Sequence, residues 1–320
     1  MGDAVYVMYM GGPDSIDAIE PFLYNLFTDR DIIDFKIGNF LQSKLAKIIA
    51  KKRSKKVKVD YEKMGGGSPQ LKIAKSLFKK VENIYNGKYN KTLTVYFGMT
   101  YYKPYIEDSY PEMAKNVFDN LLVLTLYPHY SYTTSGVCFK RFFSQTFINP
   151  PKSKYKIVPF WHNYNPYNDC IIKRIEDVAR RENIKLQEAI LFFSAHSLPE
   201  YTLSKGDLYL SHIKEQINYI ANKTLPYKSI LAFQSKTGPM KWLEPQTDKT
   251  LYSLKDEKRP VIVVPISFIS DHIETLIELD EQYIRNARQM GIDVYRISSL
   301  NDDDDFASVM TDFIYEHING

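Results

Sequence analysis

VIVVPISFISDHIETLIELDE, residues 261–281, joins a run of buried-strand character to a helix start crowded with acids. VIVVPI is short, apolar and rich in β-branched residues, the composition of a strand covered on both faces, and from Asp271 the apolar positions recur at helical spacing. A strand that leads into a helix in this way is the repeating unit of a parallel α/β sheet. Working outward, similar runs stand at Ala4–Met10, Leu93–Phe97, Leu121–Leu126 and Ile157–Phe160, then at Ile190–Phe193, Ile230–Phe233 and Val294–Ile297. Helix-sized stretches separate them. One of these, Pro69–Ile84, opens with Ser68 as a cap and Pro69 in the first turn. Four strands in each half predict an α/β protein of two Rossmann-like domains, each a four-stranded parallel sheet flanked by helices. The Pro/Asn/Tyr stretch Trp161–Asn168 supplies the boundary, giving an N-terminal domain over 1–163 and a C-terminal domain over 164–320, with the last helix a candidate to pack back on the first domain.

With 320 residues, 44% hydrophobic and 25% charged, the chain can bury two cores. It contains no apolar run of about 18 residues, the length a membrane span requires. The Ala4–Met10 run lacks the basic flank of a signal peptide, so the expected address is cytoplasmic. Cys138 and Cys170 are the only cysteines and are far apart. That excludes a disulfide framework, a cysteine-rich zinc site and a four-cysteine iron–sulfur cluster. The net charge of +4 is unevenly spread, with eight lysines and arginines and no acid between Lys44 and Lys58, next to Ile37, Phe40, Leu41 and Leu45. Such a stretch suits an acidic membrane surface or an anionic ligand, and a solvated helix face is the plain alternative. Interleaved aromatics of the kind a nucleic-acid surface uses are missing from it.

In open α/β sheets, ligands bind beyond the carboxyl ends of the strands. The residues at those ends are GGP (11–13), YPHYS (127–131), SAHS (194–197), QSKTGP (234–239) and SDHIETL (270–276). No Rossmann or P-loop glycine fingerprint is among them. His196, at a strand end among small residues, suits a general base or a metal ligand, or else a histidine that bonds a loop. Ser197 lacks the G-x-S-x-G elbow of a nucleophile. Asp271, Glu274 and Glu278 stand at i, i+3 and i+7, on one helical face, where a divalent metal would relieve their repulsion. First-turn acids also satisfy orphan N–H groups, and Asp271 with Glu274 has capping-box spacing, so both readings stand at this level.

Seven motifs then occur in order: MGGP (10–13), YEKMGGGSP (61–69), YPHYS (127–131), FSAHSLP (193–199), SKGDLY (204–209), QSKTGPMKWLEPQTD (234–248) and SDHIETLIELD (270–280). Through them the chain resembles the ferrochelatase family from near its first strand to near its last helix. The resemblance implies a chelatase-like fold and insertion of Fe²⁺ into protoporphyrin IX to form protohaem, with loss of two pyrrole protons. It implies catalytic roles for His196 and Glu274, with His196 as the base and Glu274 facing it across the porphyrin plane. Glu274 and Glu278 are the implied metal path, and His196 and Asp271 complete the candidate metal set. Met10, Tyr61, Ser68, Tyr101 and Trp242 match positions that line the macrocycle or its entrance, while Lys52 and Arg53 match basic positions near the propionates. Flat apolar walls suit a flat ring, and cations suit its carboxylates.

The resemblance makes protoporphyrin IX and Fe²⁺ the partners, with iron as substrate and no cofactor. Residues 33–58 are the implied lip for peripheral contact at the inner face of a membrane. Three departures accompany it. Thr100 precedes Tyr101 where the family usually has an arginine, and Gln282 replaces a further glutamate. The chain ends at Gly320 without the cysteine-bearing extension of some members, which also speaks against an iron–sulfur cluster. A related chelatase for cobalt or another tetrapyrrole, or a non-catalytic porphyrin carrier on the same scaffold, are the alternative readings. Retention of both His196 and Glu274 weighs against a carrier, which needs the walls but not the base.

Overall fold

The computed structural model describes residues 2–33, 35–237 and 240–320. They fall into two compact units, one running to Phe160 and including Ala307–Gly320, the other Trp161–Phe306. The sequence reading set the boundary after residue 163, whereas the two units divide after Phe160. Residues 307–320 count with the first unit.

The first unit contains β1 (Asp3–Tyr9), α1 (Ile19–Thr28), α2 (Asn39–Lys63), α3 (Gln70–Tyr89), β2 (Leu93–Met99), α4 (Ile106–Ala114), β3 (Leu121–Thr125), α5 (Val137–Ile148) and β4 (Tyr155–Val158). A single-turn π-helix, Tyr132–Gly136, precedes α5. All strands are parallel, in the order β2-β1-β3-β4. Every residue of β1 is buried, as a central parallel strand covered on both faces must be. β4 begins at Tyr155, earlier than the apolar run suggested, because Tyr155–Val158 are the residues that pair with Leu121–Leu124. Pro159 has no N–H to continue the ladder.

Two local departures from the sequence reading have physical causes. α3 starts at Gln70, and its amide stands 3.5 Å from Ser68 Oγ, too far for a strong cap. The Ser68 amide instead donates to Pro13 O at 2.6 Å, docking the GGGSP loop on the end of β1. That approach requires glycine: a Cβ on Gly67 would lie 2.4 Å from Asp14 O, and one on Gly12 would lie 2.7 Å from Ser68 Oγ. α2 interleaves lysines with exposed apolar residues, Phe40, Leu41, Ile48 and Val59. Of its 25 residues only Gln42, Ala46, Ala50 and Tyr61 are buried.

The second unit contains α6 (Asn165–Arg181), β5 (Ile190–His196), α7 (Tyr201–Ser204), α8 (Tyr209–Thr224), β6 (Lys228–Gln234), α9 (Thr247–Tyr252), β7 (Val261–Pro265), α10 (Arg285–Gln289), β8 (Val294–Arg296) and the start of α11 (Asp304–Asn319). Its sheet is also parallel, in the order β6-β5-β7-β8. Ile190, Phe192, Val261 and Val263 pack with Leu279, Ile284 and Ala287 to form its core. The remainder of α11 is held in the first unit, where Tyr315 stacks on Tyr89 at 3.5 Å between ring centroids and Asp312 pairs with Lys88 at 2.6 Å. In each sheet the chain leaves one central strand in opposite directions, at β1 and at β5. A ligand site in an open α/β sheet belongs beside such a switch.

The expected α-helix after β7 is instead a π-helix over Glu274–Ile284, continuous with α10. Its wider turn keeps Glu274 and Glu278 near one another, whereas Asp271 lies outside it in the irregular segment before the helix. No helix among the described residues is long and apolar enough to cross a membrane.

Candidate active site

The site of the second unit is built on the end of β5. The backbone of His196 is clamped on two sides: its carbonyl accepts from Tyr209 Oη at 2.9 Å, and its amide donates to Ser267 Oγ at 3.3 Å. Tyr209 and Ser267 are themselves 2.6 Å apart. A second chain of bonds runs from the sheet to the π-helix, with Ser194 Oγ donating to Gln234 Oε1 at 2.6 Å and Gln234 Nε2 donating to Glu274 O at 3.1 Å. These clamps bring His196 Nδ1 to 2.8 Å from Glu274 Oε2. The imidazole is 33% exposed and the carboxylate 24%, so the pair is sheltered without being sealed.

Burial disfavours both charges, but their attraction prevails. The Glu274 carboxylate raises the imidazole pKa above its usual 6.5 despite burial. In return the imidazolium and its hydrogen bond pull Glu274 down to about 2.

One expectation is corrected here. A flat ring between two groups keeps them about 7 Å apart, twice the ~3.5 Å contact distance of carbon atoms. At 2.8 Å, His196 and Glu274 touch, so they share one side of any ring rather than facing each other across it.

Glu278 lies beside this pair. Its Oε1 accepts from the Ser235 amide at 2.8 Å and from Tyr283 Oη at 2.6 Å. Burial and the neighbouring Glu274 charge raise its pKa. Asp271 does not join them: its two oxygens accept from Ser299 Oγ at 2.7 Å and Asn301 Nδ2 at 2.8 Å, and those bonds hold its pKa down against burial. The proposed capping box does not form either, since the Asp271 amide donates to Asn301 Oδ1 at 2.8 Å and the Glu274 carboxylate is turned to His196. Among the described residues, no group of three or more His, Cys, Asp or Glu side chains is arranged to hold a metal ion. The four-residue metal set expected from the sequence is therefore not assembled as a cage.

Trp242 is half-buried, with its backbone bridged to Pro199 and its indole Nε1 buried without a hydrogen-bond partner. Gly238 and Pro239 of the QSKTGP motif lie outside the described residues. Sequence reasoning missed Ser235, Tyr209, Ser267 and Tyr283 as individual residues. The strand-end position of QSKTGP was the one available signal for Ser235.

In the first unit, Met10 and Tyr101 share an apolar cluster with Phe22 and Val137, and Met10 O accepts from the Tyr101 amide at 2.9 Å. Tyr101 is 1% exposed, with its hydroxyl 2.9 Å from Asp29 Oδ2. The Arg141 guanidinium lies over that ring at 5.3 Å and donates to Thr100 O at 2.7 Å. A cation from α5 thus lies against the Thr100 carbonyl and the Tyr101 ring. Tyr61 is buried, Lys52 is exposed, and Arg53 is half-buried over the Phe27 ring at 5.7 Å.

A family model described as Ferrochelatase matches residues 2–318. The chain belongs to the ferrochelatase family. A "Ferrochelatase" of Aquifex aeolicus (strain VF5) is 38% identical over 99% of this chain and 100% of its own length. One of Geotalea daltonii is 37% identical over 97% of this chain and 96% of its own. The solved structure "SirB from Bacillus subtilis with Fe3+" is similar with a TM-score of 0.60, covering 100% of this chain and 96% of that one. At 11% identity that likeness is one of fold alone. Membership in the ferrochelatase family makes this chain a metal-inserting enzyme.

Proposed function

We propose that this chain inserts Fe²⁺ into protoporphyrin IX and releases two pyrrole protons, forming protohaem in the last step of haem synthesis. The contact of His196 Nδ1 with Glu274 Oε2 carries the mechanistic reading. A carboxylate on Nδ1 fixes the tautomer with the proton at that atom, so Nε2 presents its lone pair to a bound ring. His196 then takes a pyrrole proton, Glu274 stabilises the imidazolium that results, and the proton leaves before the second is taken. Charge separation within the pair is already favourable, as the opposed pKa shifts of the two groups indicate.

Fe²⁺ is the substrate of this reaction, and the chemistry calls for no resident cofactor. Glu274 and Glu278 form the acidic approach for the ion. Oxygen and imidazole donors bind Fe²⁺ loosely enough to let it go. In the first unit, Met10 and the Gly12–Ser68 contact are proposed to face the macrocycle, with Tyr61 and Tyr101 supporting them from the core. Lys52 and Arg53 are proposed to meet the propionates.

A peripheral membrane contact through residues 33–58, on the cytoplasmic side, is proposed as the porphyrin's route of arrival; Asp34 lies outside the described residues. Phe40 is 71% exposed and Ile48 66%, on a helix whose remaining surface is mostly lysine.

The test is anaerobic incubation of the purified protein with protoporphyrin IX and Fe²⁺, Co²⁺ or Zn²⁺, followed by absorbance. Conversion of the free-base spectrum with Fe²⁺ is the expected result. Porphyrin binding with no conversion by any of the three metals would favour the carrier reading.

A further inference from the structure

Ser235 follows β6 with a φ of 66°, in the left-handed region that serine seldom occupies. This conformation turns both of its polar groups onto the π-helix. The amide donates to Glu278 Oε1 at 2.8 Å, while Oγ lies 2.8 Å from Glu274 Oε2 and 2.5 Å from Glu278 Oε2. With one hydroxyl proton shared between two carboxylate oxygens and the amide committed to Glu278 Oε1, one residue bridges two carboxylates that would otherwise repel. The oxygen it meets on Glu274, Oε2, is also the one that meets His196 Nδ1.

We propose that Ser235 is a positioning residue for metal insertion, its hydroxyl fixing Glu274 Oε2 and, through it, the orientation of the His196 ring. The inference rests on the function proposed above. Bonds from an outer group to the partner of a working imidazole set how that imidazole is aimed, and their loss costs about 10–100-fold in activity. Without the hydroxyl, Glu274 Oε2 keeps its bond to His196 but loses the tie to Glu278, and repulsion from Glu278 is free to swing it. Tyr283 and the Ser235 amide hold the far side of Glu278, so the disturbance falls on Glu274.

Ser235→Gly tests this, because glycine occupies a φ of 66° without strain and keeps the amide. Two readouts are taken on the full chain. Steady-state assay with protoporphyrin IX and Fe²⁺ is expected to show kcat down about 10–100-fold, with KM for porphyrin within about twofold of wild type. In ¹⁵N-histidine-labelled protein, the downfield Nδ1–H resonance that disappears in His196→Ala is expected to shift or broaden in Ser235→Gly. A glycine variant with kcat within twofold of wild type, or with that resonance unmoved, overturns the proposal. If the wild type itself converts no porphyrin, the proposed function fails and the resonance alone decides the role of Ser235. Should the glycine variant not fold, Ser235→Ala removes the same hydroxyl and is judged by the same two readouts.

Discussion

At the scale of single residues, the His196–Glu274 pair sets a pH dependence whose sign follows from its two shifts. His196 has its pKa raised, so the stability it contributes is fully present below its unfolded value near 6.5 and is lost as pH rises through the folded value. Glu274 is lowered to about 2 from 4.5, so its contribution is present above 4.5 and is lost as pH falls toward 2. The pair is thus charged over the mildly acidic range, where a charged imidazole cannot accept a proton. The acid limb of kcat/KM is therefore expected above pH 6.5 in the wild type. Glu274→Gln removes the charge that raises the imidazole, so the limb is expected to move to lower pH while kcat falls about 100-fold. Glu278→Gln, which touches Ser235 and Tyr283 but not His196, is expected to cost less and to move the limb the same way by a smaller amount, since its charge adds least to the rise of His196. pH–rate profiles of the three proteins check this. A limb that stays put in Glu274→Gln, or a larger loss in Glu278→Gln than in Glu274→Gln, would show that the pair does not work in this order.

At the scale of elements, the π-helix is held to β8 by Arg296. Its guanidinium grips Asp280 through Nε–Oδ1 and Nη2–Oδ2 bonds, both 2.7 Å, and reaches Asp271 at 3.5 Å. This bidentate clamp is 12% exposed on the arginine side and 35% on Asp280, so it is only partly screened. Arg296→Ala is expected to destabilise the protein by about 3 kcal/mol, the low end for breaking a buried ion pair. Denaturant unfolding measures it, and a loss below about 1 kcal/mol would mean the helix is held by packing alone. None of this was legible beforehand. All eight strands were, because a buried parallel strand is an unbroken apolar run. The π-helix was not, because π and α segments share the same apolar composition and differ only in hydrogen-bond pattern. His196, Glu274 and Glu278 could be picked out as strand-end and helix-start polar residues. Their side of the ring could not, because it depends on where β5 and the π-helix converge. Asp271 fitted the helical stripe on paper, but its oxygens are taken by Ser299 and Asn301, residues 28 and 30 positions away in the chain. Sequence spacing says nothing about such partners.

At the scale of the whole molecule, the exposed face of α2 is proposed as the meeting point with a membrane. Lys51, Lys55, Lys56 and Lys58 all lie on its exposed or partly exposed surface, and none of them is among the groups assigned to the porphyrin. Replacing the four with glutamine is expected to weaken binding to anionic vesicles and its salt dependence, while turnover of detergent-solubilised porphyrin stays near wild type. Vesicle binding that does not change would leave a soluble enzyme supplied by diffusion or by a protein partner. The central claim, however, is chemical: a family member that inserts iron uses His196 to take protons from the ring. Its most direct measurement is single-turnover metal insertion by His196→Ala, run beside a fluorescence titration of porphyrin binding. Removal of a general base costs about 10²–10⁴-fold, so the variant is predicted to bind porphyrin with nearly wild-type affinity and to convert it at least 100 times more slowly. Conversion within a few-fold of wild type would contradict the assignment of His196 as the base.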